Sequence, residues 1–359
     1  MPRVAKPQIP TCAEEIDASW LSEVLGARFP GAIATSVDVV DTHSGTTGRA
    51  RLRVEWEKGS TAPAAIFAKF APTDPLQKEI VLSTGMGKRE ARFFDGFAEE
   101  LPVRVPAPLW SDWNDAGDAY IMLMEDLAAS GCSFPSSRDD NARHPEQMID
   151  TLGRLHGHYW EDPRFGAADS VAWIEPPMRH EMGPMLVASA LDQFGDQMPE
   201  SFRDLADLYV HHTEAINDLL DAGPKTLLHG DSHLGNTFVD GDRVGLLDWA
   251  CLAYGPGLRD FAYYICNSLP VKRRQRDERV LLRRYLEILA KSGGPRIEEE
   301  AAYELYRRYA VSSWVAATVT AAVGDRMQPL EVGMRAMERA TTAIADLETP
   351  RLLREELGL

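Results

Sequence analysis

The period of the apolar positions changes several times along the first third of the chain. Between Ala13 and Gly26, Ile16, Trp20, Leu21, Val24 and Leu25 share one face at helical spacing, which predicts a leading amphipathic helix. From Ser36 to Thr42, Arg49 to Trp56 and Ala64 to Phe70 the apolar residues alternate or run together with β-branched ones. Gly and Pro punctuate the gaps, so three antiparallel strands are expected. Lys78 to Glu100 returns to helical spacing, broken at Gly85 and Gly87. Strands over Leu109 to Trp113 and Ala119 to Met124 flank the turn signal Asn114-Asp115-Ala116-Gly117 and predict a hairpin. After Glu125-Asp126-Leu127 helical periodicity dominates, interrupted only by short strands flanking Asp240-Gly241-Asp242.

This order predicts an α+β, bilobal protein: a small antiparallel-sheet lobe over residues 1–124 with a leading helix, a hinge at 125–127 and a large helical lobe over 128–359. A ligand cleft is expected between the lobes, because domain interfaces are preferred binding sites. The segment from Ser130 to Arg143, with Gly131, Pro135, Ser136 and Ser137, reads as a mobile loop. No internal repeat or low-complexity tract is present.

Composition narrows the function. A net charge of −17 opposes nonspecific attraction to nucleic acid or an anionic membrane, and any polyanion site must therefore be locally basic. The basic run Lys272 to Arg276 is followed by Asp277 and Glu278, with Leu281, Leu282, Tyr285, Leu286 and Leu289 at helical spacing, so it reads as a solvated helix face. No apolar run is long enough to span a bilayer, and the amino terminus lacks the apolar core of a secretory signal, which gives a cytoplasmic expectation. Cys12, Cys132, Cys251 and Cys266 form no CxxC pair and are expected as free thiols. Nothing in the sequence fixes an oligomeric state.

The chemistry concentrates in two segments, Leu228-His229-Gly230-Asp231-Ser232-His233-Leu234-Gly235-Asn236 and Gly245-Leu246-Leu247-Asp248-Trp249. Phosphoryl transfer asks a protein mainly for positioning and for neutralisation of phosphate charge. Asp231 is suited to accept a proton from a substrate hydroxyl, while Asn236 and Asp248 offer hard oxygen ligands to Mg²⁺ bound on ATP. A lone aspartate at a strand end is ordinarily a turn or a cap, but three groups at this spacing in strand and loop context point to a kinase. Two alternatives compete: a nucleotide-binding pseudokinase without catalysis, and a metallohydrolase using His229, Asp231 and His233. The intact set of Asp231, Asn236 and Asp248 argues against the first, and the lack of HExxH or HxHxDH against the second. His229 is expected to brace the loop, and His233 to be structural or near the acceptor.

The segment from His229 to Asn236 with Leu247-Asp248-Trp249 resembles the aminoglycoside phosphotransferase and choline kinase superfamily, which has a protein-kinase-like fold. Leu155-His156-Gly157-His158-Tyr159-Trp160 and the helix after Gly255-Pro256-Gly257-Leu258-Arg259-Asp260 are more similar to its ecdysteroid-kinase-like branch. The resemblance runs from Ser44 to Leu269. It implies that Lys69, in Ala65 to Phe70, contacts the α and β phosphates of ATP and that Glu90 pairs with it. It also implies that Gly45-Thr46-Thr47-Gly48 covers the phosphates, although this departs from GxGxxG and suits a plain hairpin turn. Glu125 and Leu127 would lie where backbone groups read the adenine edge, and Asp260 would hold the catalytic loop by its backbone or serve as a helix N-terminal charge. His156 and Trp160 are expected as core or loop-bracing residues. The implied activity is ATP- and Mg²⁺-dependent phosphorylation of a hydroxyl on a small molecule, since the stretch from Asp248 to Asp260 is too short for a peptide platform. The helical region from Val280 to Leu347, with Tyr303, Tyr306, Tyr309, Trp314 and Met327, would shape the acceptor site.

Overall fold

Asp17 starts the first helix, α1 (Ala18–Leu25), by accepting the Trp20 N–H at 2.8 Å, which satisfies one of the open donors of the first turn. The strands β1 (Ala34–Ser44), β2 (Gly48–Trp56) and β3 (Ala65–Phe70) follow. Ala50, Leu52 and Val54 of β2 and Ile66 and Ala68 of β3 are buried with Leu21, Val24 and Leu25 of α1 in one apolar cluster. The helical segment after β3 is divided into α2 (Pro75–Thr84) and α3 (Met86–Phe94). Gly85 causes the division: it sits at φ +65°, a left-handed conformation that glycine adopts without steric cost. The expected second break at Gly87 is absent, because Gly87 lies within α3. The hairpin of β4 (Pro108–Trp113) and β5 (Tyr120–Glu125) completes a five-stranded antiparallel sheet in the order β1-β2-β3-β5-β4.

This computed structural model describes residues 7–45, 47–136, 143–167, 171–179, 182–324 and 329–359, and of Ser44 and Leu76 the backbone only. They divide into two units. The first takes in the chain through Ser133 together with Phe238–Gly241 and Leu246–Cys251; the second takes in Phe134–Thr237, Asp242–Gly245 and Leu252–Leu359. Residues 125–127, the expected boundary, lie inside the first unit: Asp126 accepts Arg51 Nε–H at 2.8 Å, and Glu125 accepts Arg104 Nη2–H at 2.7 Å. The expected mobile loop is bonded at its start, since Cys132 N–H donates to the Leu127 carbonyl and Ser133 pairs with Val239. Ser137 and its neighbours to 142 lie outside the described residues.

The second unit is helical, with α4 (His144–His158), α5 (Met182–Phe194), α6 (Glu200–Asp221), α7 (Leu258–Ser268), α8 (Val271–Lys291), α9 (Glu299–Val323), α10 (Leu330–Asp346) and α11 (Thr349–Leu357). Its main packings set α7 and α10 against α9, and α4 against α8. Short strands β6 (Thr226–Leu228) and β9 (Ala253–Gly255) pair antiparallel, and the hairpin of β7 (Thr237–Asp240) and β8 (Arg243–Leu246) turns at Gly241. β6 and β9 went unpredicted because three residues are too few to display a period. The aromatic stripe expected to shape an acceptor site is mostly core: Tyr306, Tyr309 and Trp314 are fully buried, and Tyr303 stacks with the Arg279 guanidinium 3.7 Å from its ring centre. Met327 lies outside the described residues. Among the described residues no helix is long and apolar enough to cross a membrane.

The α4–α8 contact is close enough to demand glycine. A Cβ placed on Gly157 would lie 2.5 Å from the Leu289 carbonyl oxygen and 2.6 Å from Ser292 Cβ. Backbone cannot retreat as a flexible side chain does, so Gly157→Ala should lower the unfolding free energy by about 3 kcal/mol, the upper range of overpacking penalties, read as a drop in urea midpoint at unchanged slope.

Candidate functional site

In the first unit one buried cation organises three elements. Lys69 on β3 is only 5% exposed; its ammonium lies 2.5 Å from Glu90 Oε2 of α3 and 2.9 Å from Asp248 Oδ1. Glu90 is 1% exposed and accepts the Trp249 N–H on its other oxygen at 3.2 Å, so the same carboxylate holds the lysine and the backbone beside Asp248. Trp249 is fixed from its far side by Phe93, stacked at 4.5 Å. Burial alone would lower the Lys69 ionisation; the Asp248 and Glu90 carboxylates outweigh it and hold the ammonium above its ordinary value, with Arg49 opposing them. Breaking such a buried pair by deleting one partner costs about 3–5 kcal/mol, so the three groups stand or fall together.

Asp248 follows β8 at φ +64°, a conformation rare outside glycine and commonest at sites where neighbours over-determine the backbone. Arg49 is opposite Lys69 in the β2–β3 register, and its Nη2 lies 3.5 Å from Asp248 Oδ2. The sequence reading passed over Arg49; the strand register is the signal that would have found it.

Gly45, Thr47 and Gly48 form the tight turn of the β1–β2 hairpin, where Gly45 N–H donates to the Thr47 carbonyl, and Thr46 lies outside the described residues. Thr47 is buried and its Oγ1 accepts Arg49 Nε–H at 3.3 Å. Further along the unit, Glu125 N–H is spent on the Ala107 carbonyl and the Leu127 carbonyl on Cys132 N–H. The Glu125 carboxylate is held below its ordinary range: burial pushes it up, and hydrogen bonds from Arg104 and Ala107 more than reverse this.

The second unit brings together Asp231, Asn236, His229, His233 and Asp260. Asp260, in the first turn of α7, is buried, and its two carboxylate oxygens accept the N–H groups of His229 at 2.7 Å and Gly230 at 3.0 Å. Its main-chain carbonyl takes the Ser232 hydroxyl at 2.9 Å, so this one residue grips three positions, two before Asp231 and one after it. His156 of α4 donates to the same carboxylate at 3.4 Å while its Nδ1 takes the Tyr285 hydroxyl at 2.9 Å. Burial would raise the Asp260 ionisation; His156, His229 and the backbone donors reverse that and hold it below its ordinary value.

Asp231 itself is partly exposed, 30% at the side chain. Its Oδ1 accepts the Tyr263 hydroxyl at 2.7 Å and its Oδ2 accepts Asn236 Nδ2–H at 2.9 Å. Asn236 also donates Nδ2–H to the Asp231 carbonyl at 2.9 Å, and among the described residues its Oδ1 accepts no hydrogen bond. His229 Nδ1 accepts the Asp231 N–H and His233 Nδ1 accepts the Gly235 N–H, so each ring carries its proton on Nε2; that of His233 lies 3.5 Å from Asp231 Oδ2. Among the described residues no three His, Cys, Asp or Glu side chains converge as a metal site. Tyr263 was missed, though it lies three residues beyond Asp260 on the same helical face. His144 was missed too: it bonds Tyr264 at 3.0 Å and Thr237 at 3.2 Å, and burial, with Arg273 adding, pushes it down to about 4.

A family profile described as the phosphotransferase enzyme family matches residues 44–300, most of the chain. The chain belongs to that family. Among solved structures, a protein of Ralstonia eutropha JMP134 classed as an aminoglycoside phosphotransferase is similar at a TM-score of 0.54 and 16% identity, over 92% of this chain and 97% of the other. The gentamicin complex of APH(2")-IIa is similar at a TM-score of 0.52 and 13% identity, over 94% and 99%. At these identities the likeness is one of fold. A comparison with curated proteins gave no match.

The buried charges give this phosphotransferase a defined acid limb. His144, depressed from 6.5 to about 4, favours the folded state while neutral, so stability falls as the pH drops from 6.5 towards 4. Asp260, depressed from 3.8, contributes fully above that value and loses its contribution below it. Asp260→Asn should cost about 2–4 kcal/mol at pH 7, since it presents an amide to two backbone donors, and the difference from wild type should narrow below pH 3.8. Urea unfolding across pH, with His144→Gln removing the earlier step, reads both.

Proposed function

We propose that this phosphotransferase transfers the γ-phosphoryl group of ATP, bound with Mg²⁺, to a hydroxyl of a small-molecule acceptor. The observation that carries the reading is the Lys69, Glu90 and Asp248 cluster: a buried ammonium fixed by one carboxylate and shared with a second, partly exposed one. The donor set fits the cofactor. Lys69 and Arg49 supply the local positive charge a polyphosphate needs in a chain of net charge −17, and Asp248 and Asn236 Oδ1 are hard oxygens of the type Mg²⁺ prefers. When bound, ATP supplies the transferable group and Mg²⁺ neutralises charge on its phosphates.

The remaining work belongs to side chains. Lys69, kept protonated, would align the α and β phosphates, and the expected phosphate-covering segment, of which Gly45, Thr47 and Gly48 are described, would supply main-chain N–H groups to them. The segment of Glu125 and Leu127 reads the base with whichever main-chain groups it has not already spent. Asp231 accepts the proton of the acceptor hydroxyl, with Tyr263 and Asn236 each occupying one carboxylate oxygen and so fixing its rotation. Asp260 acts through the backbone: it sets the path of residues 229–232 and so the direction in which Asp231 points.

Calorimetric titration with ATP, with and without Mg²⁺, tests the reading on wild type and Asp248→Ala. Binding should strengthen with Mg²⁺ in the wild type, and that gain should disappear in the variant; binding indifferent to both Mg²⁺ and Asp248 would sink the mechanism. Once an acceptor is turned over, Asp231→Asn should retain nucleotide binding and lose about 10²–10⁴ in kcat, the usual worth of a positioned general base. Tyr263→Phe should lower kcat roughly ten- to a hundredfold, the worth of one hydrogen bond to a charged group, at unchanged KM for ATP. ATP binding with no turnover on any alcohol would favour a pseudokinase.

A further inference from the structure

Helix α10 carries two guanidinium groups one turn apart, and only one has a partner of opposite charge. Arg335 reaches Glu331 on its own helix at 3.0 Å. Arg339 is half-buried and has no carboxylate within ion-pair distance among the described residues; its one hydrogen bond runs from Nη1–H to the Asn267 carbonyl oxygen at 3.4 Å. Burial and the like charge of Arg335 both push its ionisation down, and no anion counters them. Elsewhere in the same unit, Arg274 and Arg308 are each paired with a carboxylate.

A bland role exists, since Asn267 is in the last turn of α7 and a cation there caps an open carbonyl. Capping uses one of five N–H donors and leaves the rest of a half-buried charge unanswered. The surroundings give the surplus a direction. Tyr263, whose hydroxyl holds Asp231, and Asn267 are four residues apart on one face of α7, about 6 Å along the helix axis. Ser268 accepts the Leu234 N–H at 2.9 Å, so this end of α7 also abuts the Asp231–Asn236 loop. The Asn267 side-chain oxygen is buried with no hydrogen-bond donor.

We propose that Arg339 and Asn267 form the acceptor subsite, and that the acceptor is a hydroxy compound bearing a carboxylate or phosphate group. This rests on Asp231 being the group that receives the acceptor proton. Arg339 binds the anionic group, Asn267 Oδ1 accepts a hydrogen bond from a second hydroxyl or amide of the acceptor, and the reacting hydroxyl is thereby presented to Asp231. A cationic amino alcohol or aminoglycoside would meet two like charges at this place, Arg335 and Arg339.

Phenylglyoxal labelling of the full chain, resolved by peptide mass spectrometry, tests this with Arg335 as internal reference and sodium phosphate, sodium acetate and sodium chloride at equal ionic strength. Labelling of Arg339 should slow about fivefold when an anion stands at several times its dissociation constant, by mass action, and Arg335 much less. Protection by acetate and phosphate marks a carboxylate-type acceptor, protection by phosphate alone a phosphorylated one. Equal rates in all three salts overturn the proposal. The rise in melting temperature with phosphate is measured in parallel on wild type, Arg335→Gln and Arg339→Gln. It should shrink only in Arg339→Gln; an equal rise in all three overturns the proposal even where Arg339 resists the reagent. Protection of Arg339 in a protein that does not bind ATP keeps the anion site and removes the kinase reading, and ATP binding with Arg339 unprotected does the reverse.

Discussion

A charge taken out of water must find its counter-charge inside the fold, and two such demands shape this protein. In the first unit Lys69 cannot stay ionised at 5% exposure without Glu90 and Asp248, so a strand, a helix and the segment after β8 are drawn to one point. In the second, the Asp260 carboxylate is buried at the start of α7 and is satisfied by backbone N–H groups and by His156. Each arrangement converts an electrostatic penalty into backbone position. Asp248 sits at a positive φ because Glu90 grips the next N–H, and Asp231 is aimed because Asp260 grips the residues on both sides of it.

The unequal visibility of these features in the sequence follows from the same physics. The five-stranded sheet was legible strand by strand, because alternation over five or more residues leaves a period, and Asn114 to Gly117 announced its hairpin. β6 and β9 were not legible, because three residues carry no period and their pairing comes from the loop between them. Asp231, Asn236 and Asp248 were legible as a spaced set. Glu90 could be singled out only by resemblance, since the stretch Lys78 to Glu100 also carries Glu79, Glu99 and Glu100; what distinguishes Glu90 is that it alone of these is buried. Tyr263, Arg49 and His144 escaped because a hydrogen bond to a residue some 30 to 200 positions away has no local signature. The aromatic stripe of α9 left two readings open, ligand surface or core, because helical spacing marks a face and packing alone decides what that face meets; Tyr306, Tyr309 and Trp314 went to the default, the core.

Charge balance carries the argument to the phosphate chemistry. With −17 overall, this phosphotransferase keeps many of its arginines in ion pairs with neighbouring acids, as Arg51 with Asp126, Arg104 with Glu125 and Asp240, and Arg284 with Asp150. Paired surface charges contribute little to stability, but they leave little free cation for an anionic ligand. The positive groups that depart from this pattern are therefore informative. Lys69 has two acids, one of them shared with Arg49, so the cluster holds equal numbers of cations and carboxylates in a partly dry environment. A polyphosphate brought there with its own divalent cation adds charge of both signs, and the cluster need not rearrange to receive it.

Atoms left without a partner carry the last step. A fold that satisfies Asp260 five ways, through two backbone donors and His156 on its carboxylate, Ser232 on its carbonyl and the N–H it sends to Gly257, has the means to satisfy other polar groups nearby. Yet Asn267 buries an oxygen without a donor, and Asn236, its NH₂ group held to Asp231, has among the described residues no hydrogen bond on Oδ1. A buried polar group left open costs about 1–3 kcal/mol, and such a cost persists in a functional protein where something outside the chain supplies the missing bond. Asn236 Oδ1 asks for a cation or a donor and Asn267 Oδ1 for a donor, and both lie beside Asp231 or one helical turn from the tyrosine that holds it. These two oxygens stand beside the loop and the helix that hold Asp231, where a bound substrate or its metal would supply the missing partners.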